Sequence, residues 1–221
     1  MMTSPNEKVI AVIPAYNEAK TIRRVIEGLR PYVSSVVVVN DASKDETENE
    51  AHAAGATVVS HKVNQGYDTT INDGFKKAAE EGATIILTFD ADGEHEPTDV
   101  PRILAPIREG KADLVLGQRP ESRHFGERVL ASYTKARYGI PDPLCGLKAY
   151  KREIYNRVGF FDSVSSIGSE LSLRAIRLGY NPALVPITLH AREVGDTSRF
   201  YEFNLRGNMR ILMALWRILW I

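Results

Sequence analysis

The chain has 221 residues, 43% of them hydrophobic and 25% charged, and its 28 basic and 28 acidic side chains cancel. This length and composition fit one globular domain, and a net charge of zero excludes an overall attraction to nucleic acid, so any anion site must be local. The single cysteine, Cys145, excludes an internal disulfide framework and a cysteine zinc cluster.

Strand and helix patterns alternate from the beginning of the chain. Continuous apolar runs predict buried strands at residues 9–16, 33–40, 56–62, 83–89 and 112–119. Helical spacing separates them at residues 18–29 and 45–54 and in two stretches that end near Gly82 and Gly110. Such repeats predict an α/β domain, with a mainly parallel central sheet covered by helices on both faces.

The pattern is less regular after Arg119. We expect a turn and a short strand at residues 142–150, a helix at 168–180 and one long strand at 181–193. Residues 1–199 would form the domain and residues 200–221 an amphipathic C-terminal helix with a stripe of arginines, Arg206, Arg210 and Arg217. Such a helix suits the surface of a membrane or docking on the domain or on another subunit, and the sequence leaves these open.

Membrane insertion is not expected. The first residues lack the apolar core of a signal peptide, and no apolar run reaches the roughly 18 residues of a membrane span. We therefore expect a cytoplasmic protein, peripheral on a membrane if the C-terminal helix binds lipid.

Polar side chains end five of the predicted strands: Tyr16, Asp41, Asn64, Asp90 and Arg119. Ligands of open α/β sheets bind outside the carboxyl ends of the strands. The coincidence predicts one site at this edge.

An acidic pair, Asp90 and Asp92, follows the fourth strand, and Glu94 and His95 come directly after it. Mg²⁺ and Mn²⁺ prefer carboxylate oxygens and complete their coordination with water and substrate phosphates. The pair therefore favours a metal–diphosphate site, and the alternative is an acidic turn.

The other strand ends suggest how a nucleotide would be held. Asp41 can accept hydrogen bonds from a base or a ribose, whereas Asp45 suits a helix cap better. Tyr16 can pack on a base and Glu18 can accept from one, although PAYNE alone is also an ordinary strand–helix junction with Asn17 as its cap.

Arginines provide candidate phosphate ligands. Arg119 ends a strand, and Arg192 and Arg199 flank EVGDTS after the last strand. Arginine forks match phosphate oxygens. Arg123 and Arg137 fit a solvated helix face instead.

With these motifs assembled, the chain resembles the family-two glycosyltransferases of the GT-A type, and within them the dolichyl-phosphate mannose synthase-like branch. IPAYNE, NDASKDET, DADGEHEP, LGQR, DPLCGLKAY and VPITLHAREVGDTSR occur in the family's order from about Val9 to Arg199. The resemblance implies a single GT-A (Rossmann-like) domain and a divalent metal, Mg²⁺ or Mn²⁺.

The resemblance also implies roles for individual residues. The nucleotide sugar would be held by Pro14, Ala15, Tyr16, Glu18, Val39, Asp41, Gly66, Asp90, Ala91 and Asp92. The metal ligands would be Asp90, Asp92 and Glu94, and the catalytic residues Asp92, Arg119 and Glu170. Phosphates would be gripped by Arg119, Arg128, Arg192 and Arg199.

The chain departs from the family's pattern at three places. Asn40 precedes Asp41 where two aspartates are usual, and NQGYDTTINDG replaces NxGKGxAxxxG, so Tyr67 and Asp68 stand where the family has a loop lysine. One additional residue separates Arg192 from Arg199.

The implied reaction is inverting transfer of a sugar from a nucleotide diphosphate sugar to a polyprenyl or dolichyl phosphate. GDP-mannose is the first donor candidate, and UDP-glucose or another UDP-sugar comes next. The Glu-Asp pair usual for hydroxyl acceptors is missing at Gly168-Ser169-Glu170, which favours an already ionised phosphate acceptor.

Two alternatives stay open at this point. One is a family-two transferase that acts on a sugar or polysaccharide hydroxyl, with Glu170 as base. The other is a non-catalytic, membrane-recruited subunit that binds nucleotide sugars. A homo-oligomer or a membrane-anchored partner subunit is compatible with each of these functions.

Overall fold

A seven-stranded sheet forms the centre of the structure, a computed structural model that describes residues 6–120, 125–190 and 205–219 and, within the last helix, the side chains of residues 209 and 211–219. The strands are β1 (Val9–Ala15), β2 (Ser35–Asn40), β3 (Thr57–Ser60), β4 (Ile85–Thr88), β5 (Leu114–Gln118), β6 (Lys148–Lys151) and β7 (Pro182–Pro186). Their order is β3-β2-β1-β4-β6-β5-β7. Within this described sheet β6 alone is antiparallel, against β4 and β5.

Helices cover both faces of the sheet. They are α1 (Ile22–Leu29), α2 (Thr47–Ala53), α3 (Tyr67–Glu80), α4 (Val100–Arg108), α5 (Phe125–Tyr138), α6 (Arg152–Val158), α7 (Glu170–Arg177) and α8 (Leu205–Ile218), with a 3₁₀ turn at Pro97–Asp99. Side chains alternate along each strand, so β1 sends Ala11 and Ile13 toward α1, α2 and α4, and Ile10 and Val12 toward α3 and its neighbours. The predicted α/β architecture is confirmed.

The strand register aligns the ends that carry polar residues. Ala15 pairs with Asn40, and Asn40 pairs with Ser60, so β1, β2 and β3 end at one level. Thr88 pairs with Val12, which places the turn after β4 beside the end of β1. The predicted clustering at one sheet edge follows from this register.

The last predicted strand is shorter than expected. The pattern predicts a strand at residues 181–193, but β7 covers only Pro182–Pro186 because its partner β5 ends at Gln118. Farther on, Leu189 forms one isolated bridge with His95. This bridge brings the chain after β7 back to the acidic turn.

The C-terminal helix α8 docks on the domain. Ile211, Ala214 and Ile218 are buried, the helix packs against α5, and Arg217 donates from Nη1 to the carbonyl of Ser165 at 3.4 Å. The opposite face leaves large apolar side chains exposed: Met209, Leu212, Met213, Trp216 and Leu219. Within the described part of the chain, no helix has the length and apolar character needed to cross a bilayer.

Candidate active site

The turns after β1 and β2 are bonded to each other. Asn17 donates its backbone N–H to Ser43 Oγ at 2.9 Å and accepts from Lys44 N at 2.7 Å, and its φ of 56° makes this turn sharp. Asp45 accepts from Ala19 N at 3.2 Å and from Thr47 N at 3.1 Å. It therefore binds the first residue of α2, but the N-cap position considered for it is occupied by Glu46. The two turns therefore form one wall of the site.

Two of the predicted nucleotide ligands belong to this wall. Tyr16 is half-buried directly after β1. Glu18 is 8% exposed, and its backbone N–H donates to Thr47 Oγ1 at 2.8 Å. Of the other predicted nucleotide positions, Ala15, Val39 and Ala91 are buried and Pro14 is half-buried.

Asp41 organises the loop that follows β3. Its carboxylate accepts from Gln65 N at 2.7 Å and from Gly66 N at 2.9 Å, and its backbone carbonyl accepts from Asn64 Nδ2 at 3.2 Å. Gly66 has φ 86°, a backbone conformation that favours glycine. A carboxylate offers about four acceptor positions, so a ligand that reaches Asp41 meets an ion already oriented by the loop.

Asp90 lies at the centre of the sheet edge, held between His95 and Gly146. His95 Nε2 lies 3.1 Å from Asp90 Oδ2, and a Cβ at Gly146 would overlap that carboxylate. Burial alone would raise the pKa of Asp90, but the hydrogen bond and charge of His95, together with the charges of Arg119 and Lys148, hold the pKa below its usual value. Asp90 is therefore an oriented carboxylate with 31% of its side chain exposed.

The carboxylates of the acidic turn fit a divalent cation that binds together with its substrate. Within residues 6–120, 125–190 and 205–219, no group of three acidic, histidine or cysteine side chains converges on one point, so Asp90, Asp92 and Glu94 form no closed cage. Asp92 and Glu94 are half-buried, and Asp92 Oδ1 accepts from Glu94 N at 3.0 Å. Mg²⁺ typically takes only one or two carboxylates and finds its other ligands in water and phosphates.

Arg119 is held by two carboxylates. Its Nε and Nη2 donate to Asp142 at 2.8 and 2.7 Å in a two-pronged pair, and Nη2 also lies 3.4 Å from Glu127 Oε2. Its side chain is only 12% exposed. The guanidinium is thus fixed beside a cleft of about 190 Å³ lined by Gln118, Pro120, Ala131, Pro141 and Leu144.

Lys148 is a buried cation close to Asp90. It is 2% exposed, and Nζ donates to the carbonyls of Pro143 at 2.8 Å and Gly168 at 2.7 Å. Burial lowers the pKa of Lys148 to about 8, against the opposing charges of nearby acids that include Asp90. Lys148 thereby joins the two loops that border the acidic pair.

Glu170 anchors a loop. It is fully buried, and its carboxylate accepts from Ser163 N at 2.5 Å, from Val164 N at 3.2 Å and from Arg174 Nε at 2.6 Å. These contacts fix the segment before α7. Its role as a catalytic base stays a prediction.

The structure describes one of the three other candidate phosphate-binding arginines. Arg128 is exposed on α5, one position after Glu127. Arg192 and Arg199 lie outside the described residues. Their phosphate-binding roles therefore stay predictions.

Comparison with known proteins decides the family. The profile of Glycosyl transferase family 2 matches residues 10–162, which is more than half of the chain. The chain belongs to this family. The matched segment of this family 2 protein begins in β1, contains the acidic turn and ends before α7.

Named relatives are similar over most of this family 2 protein. An undecaprenyl-phosphate mannosyltransferase of Micrococcus luteus is 30% identical over 213 residues, covering 86% of each chain. A polyprenol monophosphomannose synthase of Mycolicibacterium smegmatis is 29% identical, covering 97% of this chain and 88% of the relative. A crystal structure of glucosyl-3-phosphoglycerate synthase from Mycobacterium tuberculosis with Mn²⁺ and UDP-glucose is 25% identical, with a TM-score of 0.70, covering 86% of this chain and 73% of that chain. The GT-A fold is confirmed.

Four residues of this family 2 site have contacts that the sequence does not predict: His61, Asp142, Gly146 and Lys148. Asp142, Gly146 and Lys148 all lie in DPLCGLKAY, a motif whose pattern assigns no role to its individual members. The signal that the sequence offers for these three residues is that charged residues and a glycine occur among the apolar residues leading into β6. His61 carries no such signal.

Asp68 gives a stability prediction for this family 2 protein. Burial, then the charge of Asp162, raises the pKa of Asp68 to about 7, and its Oδ1 has no hydrogen-bond partner among the described residues. A carboxyl with a raised folded-state pKa holds its proton in the folded protein while the unfolded chain loses it. Stability is therefore lost as pH rises from about 4 to 7.

Asp68→Asn should remove that loss. We expect little difference in melting temperature at pH 5 and an increase of roughly 3–6 °C at pH 8, from a penalty discounted to about 1–2 kcal/mol for partial exposure. Thermal unfolding at several pH values measures it. Glu109→Gln, at a surface pair with Lys111, is the matched control. An equal shift at every pH would contradict the assignment.

Proposed function

We propose that this protein transfers a sugar from a nucleotide diphosphate sugar to a polyprenyl phosphate, with inversion at the anomeric carbon. The observation that carries the proposal is the acidic turn of Asp90 and Asp92 beside the joined ends of β1 and β2. The acceptor class is supported by the relatives named for undecaprenyl-phosphate and polyprenol mannosyl transfer. Those names also favour mannose as the sugar. GDP-mannose is our first donor candidate, with UDP-glucose or another UDP-sugar next.

In this proposal the turns after β1 and β2 bind the nucleoside. Tyr16 lies against the base, and Glu18 and Asp41 accept its hydrogen bonds. Asp90 and Asp92 would hold Mg²⁺ or Mn²⁺, with Glu94 as a further candidate ligand. When bound, the cation supplies positive charge to the leaving diphosphate. The neighbouring structure with Mn²⁺ and UDP-glucose supports this arrangement.

Bond formation needs no strong base in this reaction. An oxygen of the acceptor phosphate attacks the anomeric carbon, the bond from that carbon to the diphosphate oxygen breaks, and nucleoside diphosphate leaves with the electron pair. A phosphate monoester is mostly ionised at neutral pH, so no proton has to be removed first. The loop contacts of Glu170 support this acceptor over a hydroxyl, because that carboxylate already binds Ser163 and Arg174.

The exposed face of α8 supports binding of the protein to a membrane surface. Five large apolar side chains lie on it: Met209, Leu212, Met213, Trp216 and Leu219. Apolar side chains that include tryptophan suit the interface of a bilayer. Docking there, on the cytoplasmic side, would bring the enzyme to its lipid-linked acceptor. A second copy or a membrane-anchored subunit is the competing occupant of this face.

A panel of nucleotide sugars with short polyprenyl phosphates tests the proposal. The acceptors are presented in detergent and in anionic vesicles, and release of nucleoside diphosphate and formation of glycolipid are followed. We expect one donor to give glycolipid in a metal-dependent reaction that is faster on vesicles. Transfer only to sugar hydroxyls would favour the polysaccharide alternative. Binding of nucleotide sugars without turnover of any donor would favour a non-catalytic subunit.

A further inference from the structure

His61 lies between two carboxylates behind the proposed nucleotide pocket. Its Nδ1 is 2.8 Å from Asp41 Oδ1 and its Nε2 is 3.0 Å from Asp73 Oδ2. The side chains of His61 and Asp41 are each 6% exposed, whereas that of Asp73 on α3 is 45% exposed. The series of contacts therefore runs from Asp41 at the proposed nucleotide pocket, through the buried ring of His61, to Asp73 at the protein surface.

The chemistry of these contacts favours one protonation state. A neutral imidazole has one N–H donor and one acceptor nitrogen, whereas an imidazolium has two donors. Both carboxylates accept, so a neutral ring would turn a lone pair toward one of them. The imidazolium satisfies both contacts, and its hydrogen bonds are charge-assisted.

The contact with Asp41 matters because Asp41 also binds the loop. Oδ1, which faces His61, accepts from Gln65 N at 2.7 Å, and Oδ2 accepts from Gly66 N at 2.9 Å. His61 begins this loop and Gly66 ends it at the start of α3. The Asp41 carboxylate thus contacts His61 at one end of the loop and accepts from Gln65 and Gly66 at the other end. The ring of His61 is therefore one of the contacts that orient this carboxylate.

We propose that His61, as an imidazolium bridging Asp73 and Asp41, is a positioning residue that shapes the pocket for a nucleoside diphosphate. This inference rests on the proposed function, in which Asp41 accepts from the nucleoside. His61 itself does not touch the reacting atoms. It sets the direction of the Asp41 carboxylate and closes the loop of residues 61–66.

Two other titratable groups, Tyr155 and Asp68, lie near these contacts. Burial, with the charges of Asp73 and Glu80, raises the pKa of Tyr155, so this phenol is neutral at neutral pH. Asp68, with a pKa of about 7, is on the same helix as Asp73 but interacts with Asp162, Gly168 and Arg217. Because Asp68 titrates near neutral pH, each variant is compared with the wild type at the same pH.

The experiment measures binding of UDP and GDP, each with Mn²⁺, by calorimetry from pH 5.5 to 8.5. His61→Gln should weaken binding of the nucleotide that the protein accepts by about tenfold at pH 6. Asp73→Asn removes one of the two charge-assisted contacts of the ring and should raise the dissociation constant by about threefold.

Kinetics and controls separate positioning from general damage. In the transfer assay Asp73→Asn should raise KM for the donor and leave kcat and KM for the acceptor within twofold. Glu81→Gln removes another carboxylate near the end of α3, where Glu81 pairs with Lys77, and should leave the dissociation constant and KM for the donor unchanged. Since Asp73 is half-exposed, its variant folds even if His61→Gln does not.

The outcomes distinguish this inference from the proposed function. If Asp41→Asn binds nucleotide as the wild type does, the nucleotide-binding role of Asp41 in the proposed function is wrong, and the positioning role of His61 is overturned with it. If Asp41→Asn loses binding while His61→Gln and Asp73→Asn match the wild type at every pH, only the positioning role of His61 is overturned.

Discussion

Asp92→Ala is expected to lower the rate of sugar transfer by about 10³-fold. Asp92 is half-buried at the sheet edge, two residues beyond Asp90. In the proposed function Asp92 is a ligand of the cation, so without its carboxylate the charge that develops on the leaving diphosphate would be less well neutralised. A loss of this size corresponds to about 4 kcal/mol of transition-state stabilisation.

Release of nucleoside diphosphate, measured with Mn²⁺, with Mg²⁺ and with EDTA, checks this result. EDTA should reduce the wild type to the level of the variant and should leave the variant almost unchanged. Glu94→Gln, two residues farther along the same turn, is the matched control and should cost only a few-fold. Full activity of Asp92→Ala would show that the metal assignment is wrong.

Gly146→Ala is expected to lower kcat by about 10²-fold, although residue 146 carries no chemistry of its own. Its Cβ would overlap the carboxylate of Asp90, and the carbonyl of Gly146 accepts from Thr88 Oγ1 at 2.6 Å, which limits how far the backbone can move. The carboxylate must therefore shift, and a misplacement of about 1 Å at a reacting centre can cost that much.

Steady-state kinetics and thermal unfolding together test the Gly146 prediction. Gly139→Ala is the control, because Gly139 has φ 75° and open space around its Cα, so alanine there strains the backbone far from Asp90. The two variants should lose comparable stability, and only Gly146→Ala should lose activity. Equal activity of the two at matched stability would mean that the packing against Asp90 has no catalytic importance.

The sequence predicts the architecture well because its signals are local. Apolar runs of strand length separated by helical spacing identify β1 to β5 and the helices between them. Parallel strands then bring their carboxyl ends to one edge, and for this reason the sequence alone assigns Tyr16, Asp41 and Asp90 to one site. The ends of elements are less exact, since pairing partners determine where a strand such as β7 stops.

The contacts within the site could not be predicted in this way. The pairing of Arg119 with Asp142 joins residues 23 positions apart and depends on β6 being antiparallel. A strand of four residues inserted between β4 and β5 leaves no periodic signal that reveals its direction. Likewise, the buried state of Lys148 reflects two carbonyls supplied by separate loops.

The reversed direction of β6 has a consequence for how this site can vary. The neighbouring strands β4 and β5 end at the sheet edge that carries Asp90, whereas β6 begins at that edge. Thr88 Oγ1 holds the first residue of β6 by accepting from Lys148 N at 3.1 Å. Sliding β6 by one position would turn Lys148 to the other face and withdraw Gly146 from Asp90. The spacing from Asp142 to Lys148 therefore couples the partner of Arg119, the contact of Gly146 with Asp90 and the start of β6, and a change in its length would separate them.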